Sequence, residues 1–264
     1  MDFVKLNNGI EMPVLGLGTY MLQGSECEKC VSEAINLGYK LIDTAQMYGN
    51  EQAVGNAIKH YNRKDLFITT KLYSPSTSYE RAKSDIEKSL NNLQTDYIDL
   101  LLIHEPYSQS LEMYKAMTEG VNEGKIRAIG ISNFNKNQYL NFIKSCGIIP
   151  AVNQVECHIF YRQKDLQKML KENGTHMQAW SPFACAKNNF FNNPVLKEIG
   201  EKYGKTTGQV GLKYLVQTGV SVIPKSSKTE RLKENLNIFD FNLTNEDVEK
   251  IMSLDRGKTL FGWY

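Results

Sequence analysis

The chain has 264 residues, 41% hydrophobic, 10% aromatic and 23% charged, proportions that exclude a disordered or fibrous protein. Thirty-one Lys and Arg against 29 Asp and Glu leave a formal charge of +2, too balanced for nucleic acid or an anionic membrane to be the default partner. No basic stretch followed by an apolar run opens the sequence, and no segment reaches the ~18 uninterrupted apolar residues of a membrane span. Five cysteines form an odd set, which suits a reducing compartment better than a disulfide framework. A cytoplasmic, monomeric protein with no membrane or nucleic-acid partner is the expectation.

Residues 1 to 12, with Asn8-Gly9 between short apolar stretches, predict a hairpin. Eight β-rich apolar runs follow: Val14 to Thr19, Lys40 to Asp43, Leu66 to Lys71, Tyr97 to His104, Ile126 to Asn133, Ala151 to Glu156, His176 to Ser181 and Val220 to Ser226. Helical periodicity fills the gaps between them. Ser25 and Glu28 are spaced as a capping box before one amphipathic helix, and Thr77 and Glu80 before another, in which Ala82, Ile86, Leu90 and Leu93 share a face. Further helical patterns run over Gln52 to Lys59, Leu111 to Asn122, Asn137 to Lys144, Gln163 to Lys171, Val195 to Tyr203, Thr207 to Gln217, Thr229 to Asn235 and Asn245 to Met252.

Eight strand–helix units without a linker predict one closed (β/α)8 TIM barrel over residues 1–264, with the N-terminal hairpin capping its bottom. An open doubly wound sheet competes, but Gly16-Leu17-Gly18-Thr19-Tyr20-Met21 lacks the third glycine of a dinucleotide fingerprint. Two other motifs mislead. Cys27-Glu28-Lys29-Cys30 has no second pair to complete a metal shell, and Cys27, Cys30, Val31, Ala34 and Ile35 fall on one helical face. Gly200-Glu201-Lys202-Tyr203-Gly204-Lys205-Thr206 follows a helix instead of a strand, so it predicts a helix stop and restart, not a phosphate loop. His60, His158 and His176 lack metal-site spacing.

In a parallel barrel all strand C-termini meet on one rim, so residues far apart in sequence can converge there. Three successive strands end in Asp43, Lys71 and His104, with Tyr48 in the loop after Asp43. A phenol with a pKa near 10 is a poor acid at neutral pH, and a nearby ammonium lowers that value. Lys71 supplies the charge, Asp43 holds it, and the His104 imidazole can hydrogen-bond a carbonyl oxygen. That set suits carbonyl reduction or isomerisation. A plain stability pair under a rim loop, with Tyr48 packing beside it, is the structural alternative.

The stretch from Gly38 to Gly55, containing Asp43-Thr44-Ala45-Gln46-Met47-Tyr48-Gly49-Asn50-Glu51, resembles an aldo-keto reductase signature. The resemblance extends through Ile68-Thr69-Thr70-Lys71-Leu72, Leu102-Ile103-His104-Glu105-Pro106, Gly130-Ile131-Ser132-Asn133-Phe134, Val152 to His158, and Ile223-Pro224-Lys225-Ser226 with Arg231, Glu234 and Asn235. It implies NADPH as cofactor and a small-molecule aldehyde or ketone as substrate, with Tyr48 as general acid, Lys71 tuning it, Asp43 securing Lys71 and His104 orienting the carbonyl. By the same resemblance Ser132, Asn133 and Gln154 hold the nicotinamide carboxamide and Trp180 stacks on the ring. Ser181, Pro182 and Phe183 lie at the pyrophosphate, while Gly18, Thr19 and Tyr20 border the cofactor. Lys225, Ser226 and Arg231 form the 2′-phosphate site, Glu234 and Asn235 meet the adenine, and Ile223, Pro224 and Ser227 also border the cofactor. Tyr20, Met47, Tyr48, His104 and Glu105 line the substrate pocket.

Four positions depart from the pattern. Glu105 stands where tryptophan is usual; facing the pocket it would favour polar or cationic substrates, and facing solvent it is a loop charge. The segment Ser181-Pro182-Phe183-Ala184-Cys185-Ala186 lacks a common glycine, Ile159 replaces a proline, and Tyr20 replaces a frequent tryptophan. Short loops and a short tail predict an open pocket, with Trp263 and Tyr264 either over its mouth or packed on the barrel. A nucleotide-binding sensing or structural, crystallin-like protein with little turnover is the alternative function, and a sugar-phosphate isomerase a third.

Overall fold

The computed structural model describes residues 2–262. Its strands read as continuous apolar runs because both faces are covered, by helices outside and by the barrel interior inside. Phe67–Leu72 and Ile98–Ile103 are buried at every position. In chain order the strands are β1 (Phe3–Lys5), β2 (Glu11–Pro13), β3 (Gly16–Gly18), β4 (Leu41–Asp43), β5 (Phe67–Leu72), β6 (Ile98–Ile103), β7 (Ile126–Ser132), β8 (Val152–Glu156), β9 (His176–Trp180) and β10 (Ser221–Val222). The helices are α1 (Gly24–Leu37), α2 (Glu51–Ile58), α3 (Tyr79–Leu93), α4 (Ser110–Asn122), α5 (Lys136–Ile143), α6 (Lys164–Glu172), α7 (Pro194–Tyr203), α8 (Thr207–Gln217), α9 (Thr229–Leu236) and α10 (Asn245–Met252).

Strands β3 to β10 pair in sequence order, all parallel. The ends meet through a parallel bridge between Leu15 and Val222, with Val222 N–H donating to the Val14 carbonyl at 2.8 Å and Gly18 N–H to the Pro224 carbonyl at 3.2 Å. Closure depends on Gly18: a Cβ there would lie 2.7 Å from the Ile223 carbonyl oxygen. The fold is the expected TIM barrel. At its bottom, β1 and β2 form the predicted antiparallel hairpin. Leu6 and Met12 enter the interior cluster with Leu41, Phe67, Leu100 and Val152, and the Asn7 and Asn8 amides bond carbonyls of Pro150 and Arg127, just before or at the starts of β8 and β7.

Several local expectations need correction. The last strand stops at Val222 instead of Ser226: Ile223 N–H still donates to the Ala179 carbonyl and the Pro224 carbonyl accepts from Gly18, but Pro224 has no N–H to donate and the chain runs on as a loop. Ser25 does not cap α1, which begins one residue earlier. The N-cap is Gln23, and its side-chain amide instead donates to the Tyr48 carbonyl at 2.7 Å. In α3 the cap is Ser78, accepting from Arg81 N–H, because Thr77 ends the preceding 3-10 turn. The helix stops at Gly204 and restarts as predicted, and the restart is fixed by a capping box of Thr206 and Gln209. Cys27 and Cys30 are buried free thiols, and no cluster among the described residues could hold a metal ion. No helix of the described chain is long and apolar enough to cross a membrane. Trp263 and Tyr264 lie outside the described residues.

Candidate active site

Residues from four strands, β4, β5, β6 and β8, converge on one rim. Asp43 closes β4, Lys71 lies one residue from the end of β5, His104 follows β6, and Gln154 sits in β8. Tyr48 ends a 3-10 turn, Gln46–Tyr48, that reverses at Gly49 with φ of +67°, a conformation glycine adopts without strain. The turn is tethered at both sides: the Gln46 amide donates to Asp85 O and Ser89 Oγ, while Asn50 donates to Thr19 O and Leu22 O and accepts from Thr44 Oγ1 at 2.6 Å.

The Lys71 ammonium is fully buried and uses its donors on Asp43 Oδ1 (2.6 Å), the Thr44 carbonyl (2.9 Å) and the Tyr48 hydroxyl (3.5 Å). Asp43 Oδ2 accepts from Gln154 Nε2 at 2.7 Å, which also donates to Gln178 Oε1. Burial opposes charge on Lys71, yet Asp43 and Tyr48 together hold its pKa above the ordinary lysine value. Burial pushes the Asp43 carboxyl up against the pull of Lys71 and Gln154. For Tyr48, burial raises the phenol while Lys71 lowers it, and burial wins. The expected depression of that phenol is therefore present as Lys71's contribution but not as the net shift, because the sequence does not show how deeply the ring is buried. The His104 imidazole, pulled down to about 3 by burial with the Lys71 charge adding, is neutral at physiological pH. Its ring packs edge-on to Tyr48 at 5.6 Å, and its buried Nδ1 has no hydrogen-bond partner among the described residues.

The remaining expected contacts fall into distinct groups. Ser132 Oγ donates to the Gln154 carbonyl, Asn133 Nδ2 to the His104 carbonyl at 3.0 Å, and the Trp180 indole to Asn133 Oδ1 at 2.8 Å. These side chains thus lie together beside His104 on the rim. Gly18 and Thr19 are buried in barrel closure, with the Thr19 hydroxyl on the Asp43 carbonyl. Tyr20, 55% exposed, stands 5.1 Å from the Tyr48 ring, and Met47 is also exposed at the mouth. Glu105 is half-buried; its charge adds to burial in raising Tyr107 to about 12.

Farther round the rim, Pro182 is buried and Phe183 packs against Phe190 and Phe191. Ile223 and Pro224 are buried, whereas Lys225, Ser227 and Arg231 are exposed. Ser226 is buried, its carbonyl accepting from the Cys30 thiol. Lys228, the N-cap of α9, makes no side-chain cap bond. Glu234 accepts from the Thr206 hydroxyl, and Asn235 is buried beside Tyr39.

Sequence reasoning missed Asn50, which tethers the turn carrying Tyr48, the Thr44 carbonyl, which accepts from Lys71, and Gln178, which accepts from Gln154. Thr44 and Asn50 both stand inside the recognised signature, whereas no sequence signal pointed to Gln178. Glu156 and His158 bond one another at 3.0 Å at the end of β8.

A parallel barrel whose C-terminal rim gathers a buried Asp–Lys pair, a tyrosine and a neutral histidine suits carbonyl reduction or isomerisation. The model of the Aldo/keto reductase family matches residues 14–256, and the chain belongs to that family. It is 43% identical to the glyoxal reductase of Bacillus subtilis (strain 168) over 97% of this chain and 93% of the relative. To methylglyoxal reductase DkgA of Escherichia coli (strain K12) it is 37% identical, over 97% and 94%. A crystal structure of MGS-M4, an aldo-keto reductase from a Medee basin deep-sea metagenome library, superposes with a TM-score of 0.94 at 38% identity, covering 98% of this chain and 97% of that one. The chain is an oxidoreductase, and its family generally uses nicotinamide cofactors.

Proposed function

We propose that the chain, acting as one barrel unit over residues 1–264, reduces small aldehydes and ketones to alcohols with NADPH. The observation that carries the reading is the Lys71 ammonium, locked between Asp43 and the Tyr48 hydroxyl with neutral His104 at the edge of the same phenol. The donor set fits a nicotinamide dinucleotide. Gln154 is positioned by Asp43 and Gln178, and Ser132, Asn133 and Gln154 would hold the carboxamide. The Trp180 indole offers a stacking face. Lys225 and Arg231, with the uncapped first turn of α9, offer the positive charge and N–H groups that favour a 2′-phosphate.

When bound, NADPH would supply the hydride, held by the residues just named. The Tyr48 hydroxyl gives its proton to the substrate oxygen as negative charge develops there. Lys71 stabilises the resulting tyrosinate and lowers the cost of releasing that proton; Asp43 keeps the ammonium charged and in place. His104, neutral, donates a hydrogen bond to the same oxygen without competing for the proton. In the reverse direction the tyrosinate accepts the alcohol proton.

Relatives named for glyoxal and methylglyoxal make small dicarbonyls the first substrates to try. The test follows absorbance of NADPH with glyoxal, methylglyoxal and a neutral aromatic aldehyde. Turnover with at least one supports the reading. Tight NADPH binding with no turnover across the panel overturns it in favour of a sensing or structural protein, and failure to bind NADPH overturns it altogether.

A further inference from the structure

Glu156 ends β8 inside the barrel wall with no exposed surface. A buried carboxylate is expensive unless its oxygens are satisfied, and this one spends its acceptors on a segment about a hundred positions further along the chain. Oε1 accepts from Leu260 N–H at 2.8 Å and meets His158 Nε2 at 3.0 Å, while Oε2 accepts from the Thr259 hydroxyl. Thr259 Oγ1 in turn accepts from the Phe261 and Gly262 amides at 3.1 and 3.0 Å. The segment is thereby folded into a tight turn, and the Phe261 ring is set 5.3 Å from Trp180.

A second tie reaches the same segment from the opposite side. The Lys187 ammonium donates to the Leu260 carbonyl at 2.8 Å and stands 4.3 Å from the Phe261 ring centroid. Lys187 belongs to the stretch between β9 and α7, where Ser181, Ala184, Cys185, Ala186, Asn188 and Asn189 all adopt positive φ. Six such non-glycine residues close together are costly, so the stretch needs external ties to keep its shape. Trp180, at its base, is linked through Asn133 to the His104 carbonyl.

We propose that Glu156 is a positioning residue for cofactor retention: by clamping Thr259 and Leu260 it seats Phe261 on Trp180 and gives Lys187 its anchor, joining the 184–192 stretch to the barrel rim. This rests on the reading above, in which Trp180 stacks on the nicotinamide and the 181–183 segment lies at the pyrophosphate. The clamp acts on the ring platform and on the covering stretch at once, so its two ties work as a unit.

The experiment uses the full chain and three single variants, Glu156→Gln, Thr259→Val and Lys187→Met, with the Thr259→Val/Lys187→Met double. Thr259 and Lys187 lie outside the core, so the test stands even where Glu156→Gln folds poorly. In the cofactor-free protein, amide exchange at Leu260 accelerates in Glu156→Gln and Thr259→Val. In tryptophan-fluorescence titrations with NADPH, each outer single variant raises Kd about fivefold, the worth of one hydrogen bond. The double variant is no weaker than the weaker single, the non-additivity of one shared device. A Kd unchanged in all variants, or a double-variant effect equal to the product of the singles, overturns the clamp while leaving the cofactor reading intact. An absence of NADPH binding by the parent chain overturns both.

Discussion

Replacing Lys71 by methionine separates the two things its ammonium does. The stem volume is nearly kept, but Asp43 Oδ1 and the Thr44 carbonyl lose their donor inside the barrel, leaving Gln154 as the carboxylate's remaining partner. Breaking a buried pair on one side costs about 3–5 kcal/mol. The same change removes the charge that opposes burial at Tyr48, and loss of an effective general acid costs about 10²–10⁴ in rate. In the double variant Asp43→Asn/Lys71→Met no buried charge is left unpaired, so urea unfolding recovers about 2 kcal/mol or more of the loss. Steady-state NADPH oxidation with methylglyoxal stays as slow as in Lys71→Met alone. Activity returning together with stability would show that Lys71 is only a structural cation and refute the proposed role.

Stability falls as pH drops from about 6.5 towards about 4. His176 and His104 have folded-state pKa values pulled to about 4 and about 3 by burial, below the ~6.5 of an unfolded histidine. In that window the unfolded chain binds protons that the folded chain refuses, so each histidine removes up to about 1.4 kcal/mol per pH unit. Urea titrations at pH 7, 6 and 5 read the slope, and His176→Gln, which can keep a bond to Ser221, flattens it; an unchanged slope would contradict the assignment. Glu105→Gln raises kcat/KM for an anionic aldehyde over a neutral one by about threefold or more if the half-buried carboxylate faces substrate, and an unaltered ratio assigns it to solvent. The parent binds NADPH more tightly than NADH, and Lys225→Ala/Arg231→Ala weakens NADPH by about tenfold or more with little change for NADH. Equal titration curves for the two cofactors in the parent would remove the 2′-phosphate site.

The barrel was legible because apolar runs ending in polar residues recur eight times with helical periodicity between them, and a parallel sheet covered on both faces reads as such runs. The hairpin plug was legible from Asn8-Gly9. What misled were local cues that tertiary needs override. Gln23 gives up capping α1 to hold the Tyr48 carbonyl, and the run after Val222 looks like strand but must turn out to form the loop before α9. The four rim residues could be named because strand ends in such a barrel share one rim. Their electrostatics could not be fully read, since burial of the Tyr48 ring outweighs Lys71 only once the surrounding walls are in place. Glu156 was invisible as a support because its partners, Thr259 and Leu260, are distant in sequence and one of the bonds is to a backbone amide.

The most direct measurement is single-turnover NADPH oxidation by Tyr48→Phe. The phenylalanine ring keeps the contacts with Tyr20 and His104 and loses only the hydroxyl facing Lys71. Cofactor binding within about twofold of the parent, with aldehyde reduction slowed by about 10²–10⁴, is the predicted result. Reduction by Tyr48→Phe at the parent's rate would contradict the claim that this phenol delivers the proton.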